Sequence, residues 1–197
     1  MMLRKMAASA GLAVGLAMAG WGVAATAGTA AAGASTATAH ASPVASRIAP
    51  VSSQDRMFMN QASQINLAEI SLSRYVLAHA STATARNVAA RYVRDHTAAQ
   101  ASLRILASDL HVILPATPGV QHETMAARVE AQKGRNLDIT FTKAVVPGHQ
   151  TAIAIFKKEV SAGSNPAVKA YAARYLPVLR THLSLAQHAN STLRVTP

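Results

Sequence analysis

Thr84–Leu110, TARNVAARYVRDHTAAQASLRILASDL, is the stretch from which the fold can be read. Steps of four and three residues through it give Ala85, Ala89, Tyr92, His96, Ala99, Leu103, Leu106 and Leu110. That apolar stripe has a period of about 3.5 residues, the pattern of a long amphipathic helix that faces other helices. His96 interrupts the stripe at its middle, so its imidazole is predicted to point into a core. A buried polar group without a partner costs about 1–3 kcal/mol. Some other helix must therefore meet His96.

Upstream, a first helix is predicted from about Ser53, with Ser53 or Asp55 as its cap. Its seam is Phe58, Ala62, Ile65, Glu69, Leu72, Val76 and His79. Glu69 is the anomaly there, because a carboxylate is almost never fully buried without a cation, a histidine or a metal. His79-Ala80-Ser81-Thr82 is so short a link that the first two helices must form an antiparallel hairpin. Downstream, Pro115, Pro118 and Gly119 stop the second helix, and His122–Lys133 reads as a short connecting helix broken at Gly134. A third long helix over about 136–162 aligns Asp138, Thr142, Val145, His149, Ala152 and Phe156, with Asp138 as a helix-start residue. Gly163-Ser164-Asn165-Pro166 supplies a stop, a cap and a first-turn proline for the last helix, whose seam is Val168, Ala172, Tyr175, Leu179, His182, Ala186 and Ala189.

The expected architecture is all-α: a four-helix bundle over residues 54–193 with a short connecting helix between the second and third long helices. Composition agrees, since half of the 197 residues are apolar, few are aromatic and alanine is abundant. Cysteine is absent, which removes disulfides and thiolate chemistry. The chain opens with MMLRK, an Ala/Gly/Leu-rich run and Ala-x-Ala exits at Ala25-Thr26-Ala27 and Ala39-His40-Ala41. This is the pattern of a signal peptide over residues 1–41, with cleavage after Ala41 preferred to Ala27 and an uncleaved anchor as the alternative. Residues 42–53, SPVASRIAPVSS, read as a mobile linker. The chain is therefore expected to be exported, to a periplasm or cell envelope.

Basic side chains number 19 against 8 acidic, and only Arg4 and Lys5 depart with the leader. Such a balance suits anionic envelope polymers or a lipid surface. The arginines are spread over several helices without interleaved aromatics, so no nucleic-acid partner is expected. Neither a Gly-x-Ser-x-Gly elbow nor a phosphate-binding glycine loop occurs, and His122-Glu123 lacks the second histidine of a zinc-protease helix.

Each long helix thus places one ligand-type residue on its seam: Glu69, His96, His149 and His182. Counted from their hairpin turns, all four fall near mid-height, within about one helical turn of each other at about 1.5 Å per residue. One carboxylate and three imidazoles suit a single divalent transition metal ion, such as zinc, or iron, copper or manganese with added water. The competing reading is a polar core that specifies packing without an ion. A mononuclear metal enzyme would further require an open coordination position and a pocket. Glu-x-x-His pairs are missing, which disfavours a di-iron site. Tyr92 and Tyr175 lie on the seams beside these residues, whereas Asp95 is placed about 100° away, where it can pair with Arg91 on the surface.

The segments QDRMFMNQASQINLAEISLSRY, YVRDHTAAQASLRILASDL, LDITFTKAVVPGHQTAIAIFKKEV and NPAVKAYAARYLPVLRTHLSLAQ resemble the successive helices of the exported bacterial family called domain of unknown function 4142. Asp95-His96, Gly148-His149-Gln150 and Leu176-Pro177 followed by His182 carry the likeness most specifically. The resemblance implies a ferritin-like bundle located in the envelope, in which Glu69, His96, His149 and His182 match the family's polar pattern. Leu137, Thr142 or Lys143, and Pro147 depart from it. The family's name assigns no activity.

Overall fold

The structure, a computed structural model, describes residues 49–195. The expected signal peptide and most of the expected linker lie outside them. Five helices form: α1 (Ser53–His79), α2 (Ala83–Asp109), α3 (Val120–Glu130), α4 (Gly134–Ala162) and α5 (Pro166–Val195). Among the described residues there is no strand.

The start of α1 is capped one residue earlier than expected. Ser52, not Ser53 or Asp55, is the cap: its hydroxyl accepts from the Asp55 amide at 3.1 Å, and the Asp55 carboxylate accepts from the Ser52 amide at 2.7 Å. The reason is reciprocity, since a carboxylate three residues into the helix can answer only the residue that precedes its first turn. Such a cap is worth about 1 kcal/mol. The end of the linker is also held, because Asn165 Nδ2 donates to the Ala49 carbonyl at 2.6 Å.

Two buried aspartates then set the topology. Asp55 also accepts from the amides of Ser164 and Asn165, at 2.9 and 3.2 Å, in the α4–α5 turn. Asp138 does the converse. Its carboxylate accepts from the Ser81 amide (3.1 Å), the Ser81 hydroxyl (2.8 Å) and the Thr82 amide (2.7 Å) in the α1–α2 turn. Asp138 is thus no cap of its own helix but the cap of the other hairpin's turn, where exposed amides favour a carboxylate. It follows that α1 and α5 run one way and α2 and α4 the other. The chain must therefore travel the length of the bundle between α2 and α4, and α3 is the helical part of that crossover. Around the bundle, α1 packs on α2, α2 on α5, α5 on α4 and α4 on α1, with α3 lying over α1 and α4. One long crossover between two hairpins is the ferritin-like arrangement.

The hairpins are related by an internal repeat. Asp55 and Phe58 match Asp138 and Phe141; Ala89-Ala90-Arg91-Tyr92 matches Ala172-Ala173-Arg174-Tyr175; and the caps Thr82 and Asn165 correspond, all at one offset along the chain. The tyrosines behave alike too. Tyr92 donates to the His182 carbonyl at 2.8 Å, and Tyr175 donates to the Ala98 carbonyl at 3.3 Å.

The core divides into two apolar clusters. One holds Phe58, Met59, Leu103, Phe156 and Leu179, the other Leu72, Val76, Tyr92, Leu137 and Phe141. The buried polar residues Asn66, Glu69, His96, Gln100, His149 and His182 form the layer at mid-bundle.

Candidate metal centre

His96 stands on α2, His149 on α4 and His182 on α5, with 3, 1 and 0% of each residue exposed. Three helices of the bundle thus bring one imidazole each to the same level. One ring nitrogen from each lies within 4.8 Å of the others. His149 Nε2 and His182 Nδ1 approach to 3.4 Å.

The remaining ring nitrogens decide the protonation pattern. His96 Nδ1 lies 2.9 Å from Asn66 Oδ1, an acceptor, so it carries the proton. His149 Nδ1 donates to the Val145 carbonyl at 2.9 Å, and His182 Nε2 donates to the Asp95 carboxylate at 3.0 Å. These outer bonds leave a lone pair on His96 Nε2, His149 Nε2 and His182 Nδ1, and the last two face each other. His96 Nε2 is buried and has no hydrogen-bond partner. Two lone pairs at 3.4 Å and a third orphaned nearby form a repulsive arrangement in which a cation fits. An outer N–H anchored on a carbonyl, an amide and a carboxylate is the usual support of metal-binding histidines.

Burial keeps the imidazoles neutral. It drives His96 well below the ordinary histidine range, with the neighbouring imidazoles adding to the effect, and it lowers His149 to about 4. His182 is lowered as well, though Asp95 opposes the shift. Asp95 itself is partly buried, which would raise it, yet hydrogen bonds from Arg91, His182 and Arg94 hold it at about 2. Neutral imidazoles are the form that binds metals.

Glu69 stands apart from the set. Its Oε1 is 3.9 Å from His149 Nδ1, on the side of the ring opposite Nε2, and its Oε2 is buried without a hydrogen-bond partner. Burial alone raises its carboxyl to about 8. The structure thus joins three of the four expected residues and leaves the carboxylate beside the set rather than in it. The Tyr92 ring stacks on His182 at 4.4 Å and 25°, so this seam tyrosine forms a wall of the site. A cavity of about 10 Å³, room for one water, adjoins His96 and His182 and is lined also by Asn66, Asp95, Tyr175 and Leu179.

Three supporting residues escaped the sequence reading. Asp95 does bind Arg91, as expected, but its carboxylate also reaches His182. Asn66 links His96 to Gln100 (3.2 Å) and to Tyr171 (3.3 Å), and Gln100 Nε2 continues to Ser63 Oγ at 2.9 Å. Spacing held the clue, for Asn66 lies four residues after Ala62 and three before Glu69, and Gln100 lies four after His96.

Fold and site together define an all-helical, ferritin-like four-helix bundle with three buried histidines close enough to hold a metal ion. The chain belongs to the family described as Domain of unknown function (DUF4142), whose profile matches residues 37–189. It is also similar to the crystal structure of a DUF305 fragment from Deinococcus radiodurans, with a TM-score of 0.66 and 14% identity, over 73% of this chain and 99% of that one. At that identity the likeness concerns the fold alone. No curated protein matches the chain.

Proposed function

We propose that this domain binds one divalent transition metal ion in the bundle core, through His96 Nε2, His149 Nε2 and His182 Nδ1, and does so in a periplasm or cell envelope. One observation carries the metal reading: three inward lone pairs whose opposite nitrogens are all anchored elsewhere. A tetrahedral ion with bonds of about 2.0–2.1 Å needs ligand nitrogens about 3.3 Å apart. His149 and His182 already stand at that spacing, at 3.4 Å, and one ring nitrogen of each of the three histidines lies within 4.8 Å of the others. The donor set suits zinc, copper, iron or nickel. Glu69, whose carboxyl burial raises to about 8, stays beside His149 outside the ligand set, and the small cavity adjoining His96 and His182 offers the fourth position to water. Its size favours holding an ion over turning over a substrate. The leader pattern MMLRK and the Ala-x-Ala exits support export. No helix among the described residues is long and apolar enough to cross a membrane.

The second reading, a polar layer that only specifies packing, draws on the chain of bonds from His96 through Asn66, Gln100 and Ser63 to the Pro115 carbonyl. That chain fixes helix register with or without an ion. Elemental analysis separates the readings: residues 42–197, purified without a histidine tag, beside a His96→Ala, His149→Ala variant and the bulkier His96→Gln, His149→Gln variant. Near-stoichiometric metal lost in both folded variants supports the metal reading. No metal in the unaltered protein, with none taken up on titration with zinc or copper, refutes it.

A further inference from the structure

We infer that the cleft bordered by α2 and α5, lined by Asn87, Val88, Ala90, Arg91, Arg94 and Leu185, is a binding site for a phosphate-type anion. Its volume is about 340 Å³, and none of these six residues is acidic. Both arginines are held by their inner nitrogens: Arg91 Nε donates to Asp95 Oδ2 and Arg94 Nε to Asp95 Oδ1, the latter at 3.0 Å. Asp95 is itself fixed from below, because His182 Nε2 donates to it. One carboxylate thus aligns two guanidinium groups and consumes only one of their two charges. Among the described residues, the terminal nitrogens of Arg91 and Arg94 meet no acceptor. Paired guanidinium forks with fixed planes and free outer N–H groups match the oxygens of a phosphate, and fixing them beforehand reduces the ordering that binding must impose. The Asn87 amide adds a donor. Val88, Ala90 and Leu185 give the cleft an apolar side that accommodates the carbon portion of a phosphate ester.

The phosphate group has two sources, a small soluble phosphate or the headgroup of an anionic phospholipid. The test uses the whole exported chain, stripped of metal so that its outcome does not depend on the metal reading. Titration calorimetry with inorganic phosphate at low salt is expected to show saturable binding of one phosphate per chain. Loss of one charge-assisted fork weakens binding about tenfold, so Arg91→Gln, Arg94→Gln should weaken it about a hundredfold. Arg91→Lys, Arg94→Lys keeps the charge without the fork and should fall between the two. Absence of saturable phosphate binding, or unchanged affinity in a folded Gln variant, overturns the inference; Lys affinity equal to that of the unaltered protein overturns the fork geometry. Flotation with phosphatidylcholine vesicles, with and without phosphatidylglycerol, then assigns the source. Arginine-dependent flotation only with phosphatidylglycerol identifies a lipid headgroup, and phosphate binding without flotation identifies a soluble ligand.

Discussion

Replacing Asn66 by Leu separates the structural and metal-binding consequences of one side chain. Asn66 is buried, accepts from His96 Nδ1 at 2.9 Å and donates to Gln100 Oε1 at 3.2 Å and Tyr171 Oη at 3.3 Å. Leucine fills nearly the same volume but offers no polar atom. Tyr171 keeps its bond to the Ala99 carbonyl at 3.3 Å, so two buried groups, the His96 N–H and the Gln100 carbonyl, are left unpaired. At about 1–3 kcal/mol each, the folded state should lose about 2–6 kcal/mol. The same change frees the His96 ring to exchange tautomers, placing its proton on the inward nitrogen part of the time. Loss of such an outer partner typically lowers metal affinity 10–100-fold. Urea unfolding with a chelator present measures the first effect, and zinc competition against a chromophoric chelator measures the second. Asn66→Asp keeps an acceptor for His96 and should bind at least as tightly as the unaltered protein. A folded Asn66→Leu protein that loses the expected stability but binds zinc unchanged would falsify the assignment of the His96 lone pair to the centre.

Two further predictions concern the end of the bundle where α1 begins. Burial raises the Glu159 carboxyl to about 7 despite a hydrogen bond from Gln54, with the neighbouring Asp55 adding to the rise and Lys169 opposing it. A carboxyl raised on folding gives stability that is complete below its unfolded value of 4.5 and is lost as pH climbs through the folded value. Between about pH 5 and 8 that loss should be about 2–3 kcal/mol. Glu159→Gln removes it, so denaturant unfolding curves of the two proteins should diverge by that amount over this interval; parallel pH profiles would show that Glu159 is not held neutral. Gly163 covers the same carboxyl, and an added Cβ would lie 2.3 Å from Glu159 Oε1 and 2.7 Å from its backbone carbonyl. Because the backbone oxygen cannot swing aside, Gly163→Ala should cost about 1–3 kcal/mol and lower the melting temperature; an unchanged melting temperature would mean that the α4–α5 turn yields freely.

The fold was legible because its signals repeat at a helical period and its breaks are chemically blunt. Leu72, Leu103, Phe156 and Leu179, one on each of the four seams, are buried, whereas Ile65 and Leu106 are only partly buried and His79, at the end of its helix, is exposed; Gly163 to Pro166 ends one helix and begins the next at the expected place. Periodicity also put His96, His149 and His182 at one level. Three features of the site were less visible. Asp95 sits about 100° off the seam, and a helical wheel does not show that its carboxylate reaches across to α5. Asn66 was hidden by its neighbour Ile65, since both fit a stripe whose width a period cannot fix. Glu69 shares the level of the histidines, yet height along an axis does not say on which side of the His149 ring a carboxylate will lie.

The position of the histidine layer depends on residues far from it. Asp138 lies eleven residues before His149, about 16 Å along α4 at about 1.5 Å per residue, and touches none of the three imidazoles. Yet its carboxylate ties α4 to the α1–α2 turn, as Asp55 ties α1 to the α4–α5 turn. Either tie alone would let the hairpins pivot; together, at opposite ends, they fix how far one is advanced along the other. A slip of one turn, about 5.4 Å, would carry His149 and His182 past His96 and exceed the whole 4.8 Å spread of their inward nitrogens. The apolar seams would tolerate that slip better, because alanine-rich stripes present similar surfaces a turn apart. The end-on aspartates therefore supply the axial precision that the packing lacks, and the three-histidine cluster is a consequence of both.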